Sequence, residues 1–249
     1  MPEQYATDDN LRARQRLWQI SPRRPPFDLH SWVVGLARLQ GDEAVLDLGC
    51  GNGHYLELID AVGLDRSVGM LAAARGRTGG PLVAGDATSL PFATNAFDVV
   101  LAAHMLYHVD DRQASAAEIR RVLRPFGVCV AVTNGERNQH ELVRVVEAAA
   151  GNGWRWRRLT DAFSLENGFD QLRAHFRQVD LVLSPPGVVK VTDVDAVADY
   201  LRSVSDFYED EIEGSWEDLV HRSAAEVSRV IEAEGAFTVT MSVGAFVCT

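Results

Sequence analysis

The sequence of 249 residues predicts an α/β fold in which helices cover both faces of a mostly parallel sheet. Between residues 44 and 133, short apolar runs alternate with helical stretches, which is the order of βαβ units with right-handed crossovers. The first of these runs leads into a glycine-rich turn, a feature of α/β folds that bind ligands at the carboxyl ends of their strands. The length suits one such domain with a modest elaboration.

The predicted elements follow in order along the chain. Two helices at residues 8–20 and 28–39 come first, separated by a proline-rich break. Five apolar runs are then predicted as parallel strands: residues 44–48, 61–64, 81–84, 97–103 and 128–133. The pattern predicts a helix directly after the glycine turn, at residues 54–58. Later segments are predicted as helices at 137–150, 164–173, 193–205 and 216–232, and as strands at 179–183 and 237–241.

Composition limits the classes of function. The formal net charge of −11 argues against nucleic acid as a partner, because phosphate binding needs a basic face. Cys50, Cys129 and Cys248 lack metal-site spacing, so we expect neither structural zinc nor disulfides, and a cytoplasmic location. We expect no membrane association, because no apolar run approaches the length of a span and no signal peptide is recognisable. The arginines at positions 12, 14, 16, 23 and 24 are interpreted as a solvated face, with a small anion-contacting patch as the alternative.

The string VLDLGCGNG, residues 45–53, is the most informative motif. Its glycines allow a tight turn and let a ligand lie against bare backbone. A dinucleotide site would need GxGxxG, but the position of its last glycine is taken by His54. Asp47 would repel a pyrophosphate, whereas it can accept a hydrogen bond from an ammonium group. The motif therefore favours a zwitterionic ligand.

Two further aspartates follow the next two predicted strands. Asp65 ends the second strand, where a carboxylate can accept hydrogen bonds from both hydroxyls of a ribose. Asp86 follows the third strand, where it can accept from the exocyclic amine of adenine. Because the carboxyl ends of parallel strands meet at one edge, we expect these aspartates and Asp47 to surround one ligand.

These motifs resemble the class I S-adenosylmethionine-dependent methyltransferases, particularly the quinone-biosynthesis and small-molecule members. The resemblance rests on VLDLGCGNG, VGLDRSVGM, GDATSLPF, FDVVLAAHMLYHV and EIRRVLRPFG, in that order. It implies a Rossmann-like sheet of seven strands, with residues 237–241 as the antiparallel strand. Residues 125–127, Pro-Phe-Gly, depart from the usual Pro-Gly-Gly at a turn away from the cofactor.

The resemblance also assigns roles in binding S-adenosylmethionine. Asp47, Gly49, Cys50 and Gly51 would hold its methionine part, and Asp65 its ribose. Met70 would line the adenine pocket, and Asp86 and Ala87 would bind the adenine edge. Ala103 and His104 would lie near the sulfonium. No metal site is expected.

Catalysis would consist largely of holding an acceptor in line with the sulfonium methyl group. His104 and His108 are the candidate general bases for a hydroxyl acceptor, although His108 in a packing role remains the alternative. Tyr5, Trp18 and Tyr107 are candidate wall residues. Seven acids between residues 206 and 218 are interpreted as a solvated segment, with an acidic rim for a cationic acceptor as the alternative.

The expected organisation has three parts. Residues 1–40 form a helical cover, residues 41–134 the cofactor half of the methyltransferase domain, and residues 135–249 its substrate-facing half. We expect methyl transfer to an O, N or C atom of a small molecule, plausibly in secondary metabolism, by a monomer or homodimer. A catalytically silent binding protein of this fold and a nicotinamide-dependent oxidoreductase are the rival functions.

Overall fold

The computed structural model of the protein describes residues 4–249, which form ten strands and eight α-helices. The strands are β1 Arg23–Arg24, β2 Val45–Leu48, β3 Val62–Asp65, β4 Leu82–Ala84, β5 Phe97–Ala103, β6 Leu123–Asn134, β7 Val179–Leu183, β8 Gly187–Val191, β9 Phe237–Met241 and β10 Val243–Cys248. The helices are α1 Asp9–Ile20, α2 Leu29–Ala37, α3 Val68–Ala74, α4 Arg112–Val122, α5 His140–Ala150, α6 Gly168–Leu172, α7 Val194–Arg202 and α8 Trp216–Glu234. Residues 1–3 of the expected helical cover lie outside the described part.

The main sheet has seven strands in the order β4-β3-β2-β5-β6-β10-β7. Only β10 runs antiparallel to its neighbours. Helices flank this sheet, which confirms the predicted Rossmann-like α/β architecture. The strand order reverses between β2 and β5, because the chain proceeds from β2 to β3 and β4 before it crosses to β5. In open α/β sheets, a ligand crevice forms at such a switch point, outside the carboxyl ends of the strands.

The central strands form the apolar core. Leu46, Leu48, Val100, Leu101 and Ala131 are fully buried, as expected for strands covered on both faces. A second core joins α5, α7 and α8 to a small antiparallel sheet of β1, β8 and β9. Helix α1 packs on this second core through Leu17, and ion pairs join Arg16 to α7. The second core therefore holds α1 in place beside the main sheet.

Two predicted elements were wrong. The antiparallel strand of the main sheet is β10, whereas Phe237–Met241 pairs with β8 in the small sheet. The continuous burial of β10 suits the interior of a covered sheet, while the alternation in β9 suits an element with one covered face. The helix expected after the glycine turn is a single 3₁₀ turn, Tyr55–Glu57. Because β3 already begins at Val62, the connection from β2 to β3 is too short for a longer helix.

The turn before the core of β6 has an unusual residue. Phe126 has a φ of 68°, and its side chain is 92% exposed. This left-handed conformation favours glycine, the residue that the family resemblance leads us to expect there. The turn lies away from the crevice and bears on stability only.

Candidate active site

A cavity of about 1390 Å³ opens at the carboxyl ends of β2, β3, β4 and β5. It is lined by every residue that the sequence analysis assigned to the cofactor or to catalysis, except Asp47. Its wall continues along α1 and reaches α7 and the segment after it. One cavity therefore joins the predicted cofactor residues to the substrate-facing half of the chain.

The glycine turn after β2 is fixed by its backbone. Gly49 and Gly51 have φ angles of 71° and 53°. The N–H groups of Gly49 and Cys50 both donate to the carbonyl oxygen of Leu64, at 2.7 and 3.0 Å. A Cβ atom on Gly49 would lie 2.7 Å from that of Met105. Larger residues are thereby excluded from this turn, which keeps bare backbone at the cavity wall.

Asp65 lies beside this turn at the end of β3. Its Oδ2 accepts the N–H of Gly51 at 2.9 Å, and its Oδ1 accepts the N–H of Ser67 at 2.8 Å. Burial raises the pKa of Asp65, although these two hydrogen bonds oppose the shift. Each carboxylate oxygen keeps a lone pair for a further donor, so the pair can receive two neighbouring hydroxyl groups.

Asp47 is buried within β2 rather than exposed on the cavity wall. Its Oδ2 has no hydrogen-bond partner in the described part of the chain. Burial, together with the charge of Asp65, raises the pKa of Asp47 to about 7. Neither carboxylate has a basic side chain within ion-pair distance among residues 4–249. A buried acid and a half-buried acid without a cation form a site that favours a positively charged ligand.

The predicted adenine pocket combines an apolar floor with one acid. Met70 and Ala87 are buried at the cavity wall. Oδ1 of Asp86 accepts both the N–H and the hydroxyl of Thr88, at 2.8 and 2.7 Å, and these bonds lower the pKa of Asp86. Its Oδ2 lies 3.9 Å from the guanidinium of Arg66. Asp86 is thus an ionised and oriented acceptor.

His104 and His108 follow Ala103, the last residue of β5. His104 has a φ of 56°, and burial together with the charge of nearby His30 lowers its pKa to about 4. Burial and the charges of Arg14 and His104 also lower the pKa of His108 to about 4. Nε2 of His108 lies 3.0 Å from the hydroxyl of Tyr5, while its Nδ1 has no partner. Both rings are therefore neutral at neutral pH.

Helix α1 contributes cavity residues that the sequence did not reveal. The side-chain oxygen of Gln15 lies 3.2 Å from Nδ2 of Asn52 and 3.1 Å from Nε2 of His54. Arg14 and Arg23 line the cavity, so the interpretation of a solvated face is wrong for these two arginines, whereas Arg12, Arg16 and Arg24 are exposed. Residues 11, 14, 15 and 18 are three or four positions apart and therefore lie on one side of the helix, which could have indicated a shared cavity wall. Because position 14 is an arginine, the pattern did not look like a buried face.

Aromatic side chains form another part of the cavity wall. The three wall residues predicted from the sequence, Tyr5, Trp18 and Tyr107, all line the cavity. Tyr200 and Phe207 join them from α7 and the segment after it, and Trp18 contacts Tyr200 edge to face at 5.5 Å between ring centroids. This part of the cavity, walled by these five rings, is named the aromatic compartment.

The acidic segment keeps its carboxylates outside the lining of the cavity. None of its seven acids lines the cavity, and several are already occupied. Glu217 pairs with Arg202, Glu211 pairs with Arg157 at 2.9 Å, and Glu213 accepts from Asn152 at 2.6 Å. The four acids Glu209, Asp210, Glu211 and Glu213 are named the acidic quartet.

Two other features are absent from the described residues. Across residues 4–249, no cluster of three or more His, Cys, Asp or Glu side chains is arranged to hold a metal ion. In the same range, no helix is both long enough and apolar enough to traverse a bilayer.

Comparison with known proteins places this site in a family. The model of a methyltransferase domain matches residues 46–131, which carry the glycine turn, Asp65, Asp86 and His108. Demethylmenaquinone methyltransferase of Renibacterium salmoninarum is 40% identical over 136 residues, covering 52% of this chain and 53% of that protein. Residues 46–131 are therefore similar to a methyltransferase domain, and the relatives of this part of the chain include methyltransferases. The chain spans about half, or less, of the length of the curated methyltransferases that it matches.

Solved methyltransferase structures show the same fold. A putative methyltransferase from an antibiotic biosynthesis pathway of Anabaena variabilis superposes with a TM-score of 0.62 at 14% identity, covering 89% of this chain and 96% of that one. An S-adenosylmethionine-dependent methyltransferase of Thermotoga maritima is described as a possible histamine N-methyltransferase. It superposes with a TM-score of 0.56 at 15% identity, covering 100% of this chain and 99% of that one. At these identities the likeness concerns the fold.

Proposed function

We propose that this methyltransferase transfers a methyl group from S-adenosylmethionine to an O, N or C atom of a small-molecule acceptor. The supporting observation is the continuous cavity, in which the residues expected at the cofactor and the aromatic compartment meet at Ala103, His104 and His108. Secondary metabolism is a plausible setting. We also propose the division into a cover at residues 1–40, a cofactor half at 41–134 and a substrate-facing half at 135–249.

The residues present suit this cofactor. S-adenosylmethionine carries an ammonium and a sulfonium, and the unpaired acids Asp47 and Asp65 supply negative charge without a competing basic side chain. In our assignment, Gly49, Cys50 and Gly51 bind the methionine part through backbone, with Asp47 acting from behind the turn by its charge. Asp65 binds the ribose hydroxyls, Met70 packs on the adenine, and Asp86 with Ala87 binds the adenine edge.

The chain's own residues would act mainly by positioning. When bound, the cofactor supplies a methyl group that is already activated by the positive sulfur, so the protein has to align an acceptor and exclude water. The aromatic compartment provides an apolar wall for this purpose. A hydroxyl acceptor also has to lose a proton, and the neutral rings of His104 and His108 are able to accept it.

Cofactor binding is the first test. Titration calorimetry should show binding of S-adenosylhomocysteine and none of NADH; the reverse result would favour a nicotinamide-dependent oxidoreductase. Turnover is the second test. Release of S-adenosylhomocysteine in the presence of an acceptor library is expected, while binding without release for every acceptor would favour a catalytically silent binding protein.

A further inference from the structure

Arg14 is a cation on the cavity wall without a carboxylate partner. Its Nη1 donates to the carbonyl oxygen of Ser203 at 2.9 Å, and its guanidinium carbon lies 5.4 Å from the centre of the Tyr5 ring. Its Nη2 is buried and has no acceptor within the described residues. An unsatisfied buried donor is costly, and more so on a charged group. Arg14 is therefore suited to a ligand that supplies an anionic oxygen.

The other arginines on the cavity wall are engaged differently. Arg66 faces Asp86 at 3.9 Å, and Arg158 lies 3.4 Å from Asp161 and donates to backbone carbonyls. Arg23 stacks on Phe27, with 4.2 Å between its guanidinium carbon and the ring centre, and donates to the carbonyl of Pro185. Arg23 also has a buried Nε without an acceptor among the described residues, but of these four cavity arginines only Arg14 contacts Tyr5 and thereby lies beside the predicted catalytic histidines.

Two neighbouring faces of α1 separate the cofactor side from the acceptor side. Residues 11 and 15 face the glycine turn, since a Cβ atom on Gly51 would lie 3.3 Å from Leu11, and Gln15 bonds to Asn52. Arg14 and Trp18 are also four residues apart and share the adjacent face. Trp18 contacts Tyr200, and Arg14 contacts Tyr5, which in turn reaches His108. Tyr5 also accepts a hydrogen bond from Ser67 beside Asp65, so we assign Arg14 to the acceptor side on the helix face that it shares with Trp18 and on its connection through Tyr5 to His108.

The surroundings of Arg14 specify the rest of the ligand. The aromatic compartment offers ring faces and edges, which suit a planar aromatic molecule. Because Nη2 of Arg14 is buried, a guanidinium–carboxylate pair at this position is stronger than at the surface, and its planar geometry allows two parallel hydrogen bonds. We propose that the acceptor is a planar aromatic compound bearing a carboxylate, and that Arg14 binds this carboxylate. The proposal rests on the proposed function, because that function assigns the compartment to the acceptor.

The test compares two probes of nearly equal shape, 2-naphthoate and 2-naphthamide. Both are titrated by calorimetry into the protein saturated with S-adenosylhomocysteine. The wild-type protein should bind the naphthoate roughly tenfold to a hundredfold more tightly than the amide, as expected for a charge-assisted pair. Arg14→Gln should abolish that preference and leave amide affinity within about twofold, and Arg14→Lys should retain part of it. Arg12→Gln, an exposed arginine on the same helix, is the matched control and should bind like wild type.

Several outcomes would overturn the proposal. The wild-type protein must not bind the two probes with equal affinity, and it must bind at least one of them. Arg14→Gln must not weaken the binding of both probes by the same factor. A tenfold loss of S-adenosylhomocysteine affinity in Arg14→Gln, with the naphthoate preference intact, would assign Arg14 to the cofactor carboxylate instead. Cofactor affinity in the wild type is a separate readout, so failure of the proposed function and failure of this inference are distinguishable.

Discussion

Replacing Asp65 by alanine removes the acceptor assigned to the cofactor ribose. Each oxygen of this carboxylate already accepts one backbone N–H and has capacity for one hydroxyl. Hydrogen bonds to a charged group contribute about 1.5–3 kcal/mol, so Asp65→Ala should weaken binding of S-adenosylhomocysteine by roughly 10- to 150-fold. Calorimetric titration measures this change, and circular dichroism checks that the fold is retained.

The same variant makes a prediction about the ligand. A 2′-deoxy analogue of S-adenosylhomocysteine lacks one of the two hydroxyls, so Asp65→Ala should reduce its affinity less than that of the parent compound. Asp60→Ala changes an exposed aspartate just before β3 and should leave both affinities unchanged. Unaltered affinity in a well-folded Asp65→Ala protein, or equal losses for both ligands, would refute the assignment of Asp65 to the ribose.

Four other outcomes are expected. Because the pKa of Asp47 is raised to about 7 and a cationic ligand favours the ionised carboxylate, S-adenosylmethionine affinity measured by calorimetry should rise between pH 6 and pH 8. Asp47→Asn should lack that rise, and a flat wild-type profile would contradict the reasoning. With a hydroxyl acceptor, His108→Ala should lower kcat/KM about 100-fold or more, whereas neutralising the acidic quartet should leave kcat/KM nearly unchanged. If neutralising the quartet lowers kcat/KM at low salt but not at high salt, a cationic acceptor is favoured instead. Phe126→Gly should raise the free energy of unfolding by about 0.5–1 kcal/mol in urea titrations. Relief of the left-handed φ stabilises the folded protein by roughly 1–2 kcal/mol, and the greater conformational entropy of glycine in the unfolded chain offsets part of this gain. A loss of stability would disprove this reasoning. Turnover should survive EDTA, and an activity that vanishes with chelator and returns with Mg²⁺ would refute this.

The cofactor side of the site was predictable because its residues follow from local rules. Parallel strands bring their carboxyl ends to one edge, so Gly49, Asp65 and Asp86 could be placed together from the pattern of strands alone. Asp47 shows where this reasoning stops. It was expected at the ligand, but the structure buries it within β2 and leaves the cavity wall to the turn that follows.

The proposed acceptor side could not be predicted in the same way. It is assembled from α1, the turn after β5, and α7 with the segment after it, which are distant in sequence. Arg14 was hidden because its neighbours Arg12 and Arg16 are exposed, and a single helical residue turned inward leaves little trace in composition. The assignment of β9 to the main sheet failed for a related reason. Alternation of apolar and polar residues indicates that one face of the strand is covered, but it does not indicate which strands pair with it.

The two faces of α1 have a consequence for how acceptor preference can diversify. Positions 14 and 18 border the aromatic compartment, while positions 11 and 15 contact the glycine turn and its neighbours. Substitutions at the first pair can therefore change the charge and shape presented to the acceptor while the contacts of the second pair stay in place. Under the proposed function, a library restricted to residues 14 and 18 would vary acceptor binding while the contacts to the glycine turn stay constant, which suits directed evolution of this protein.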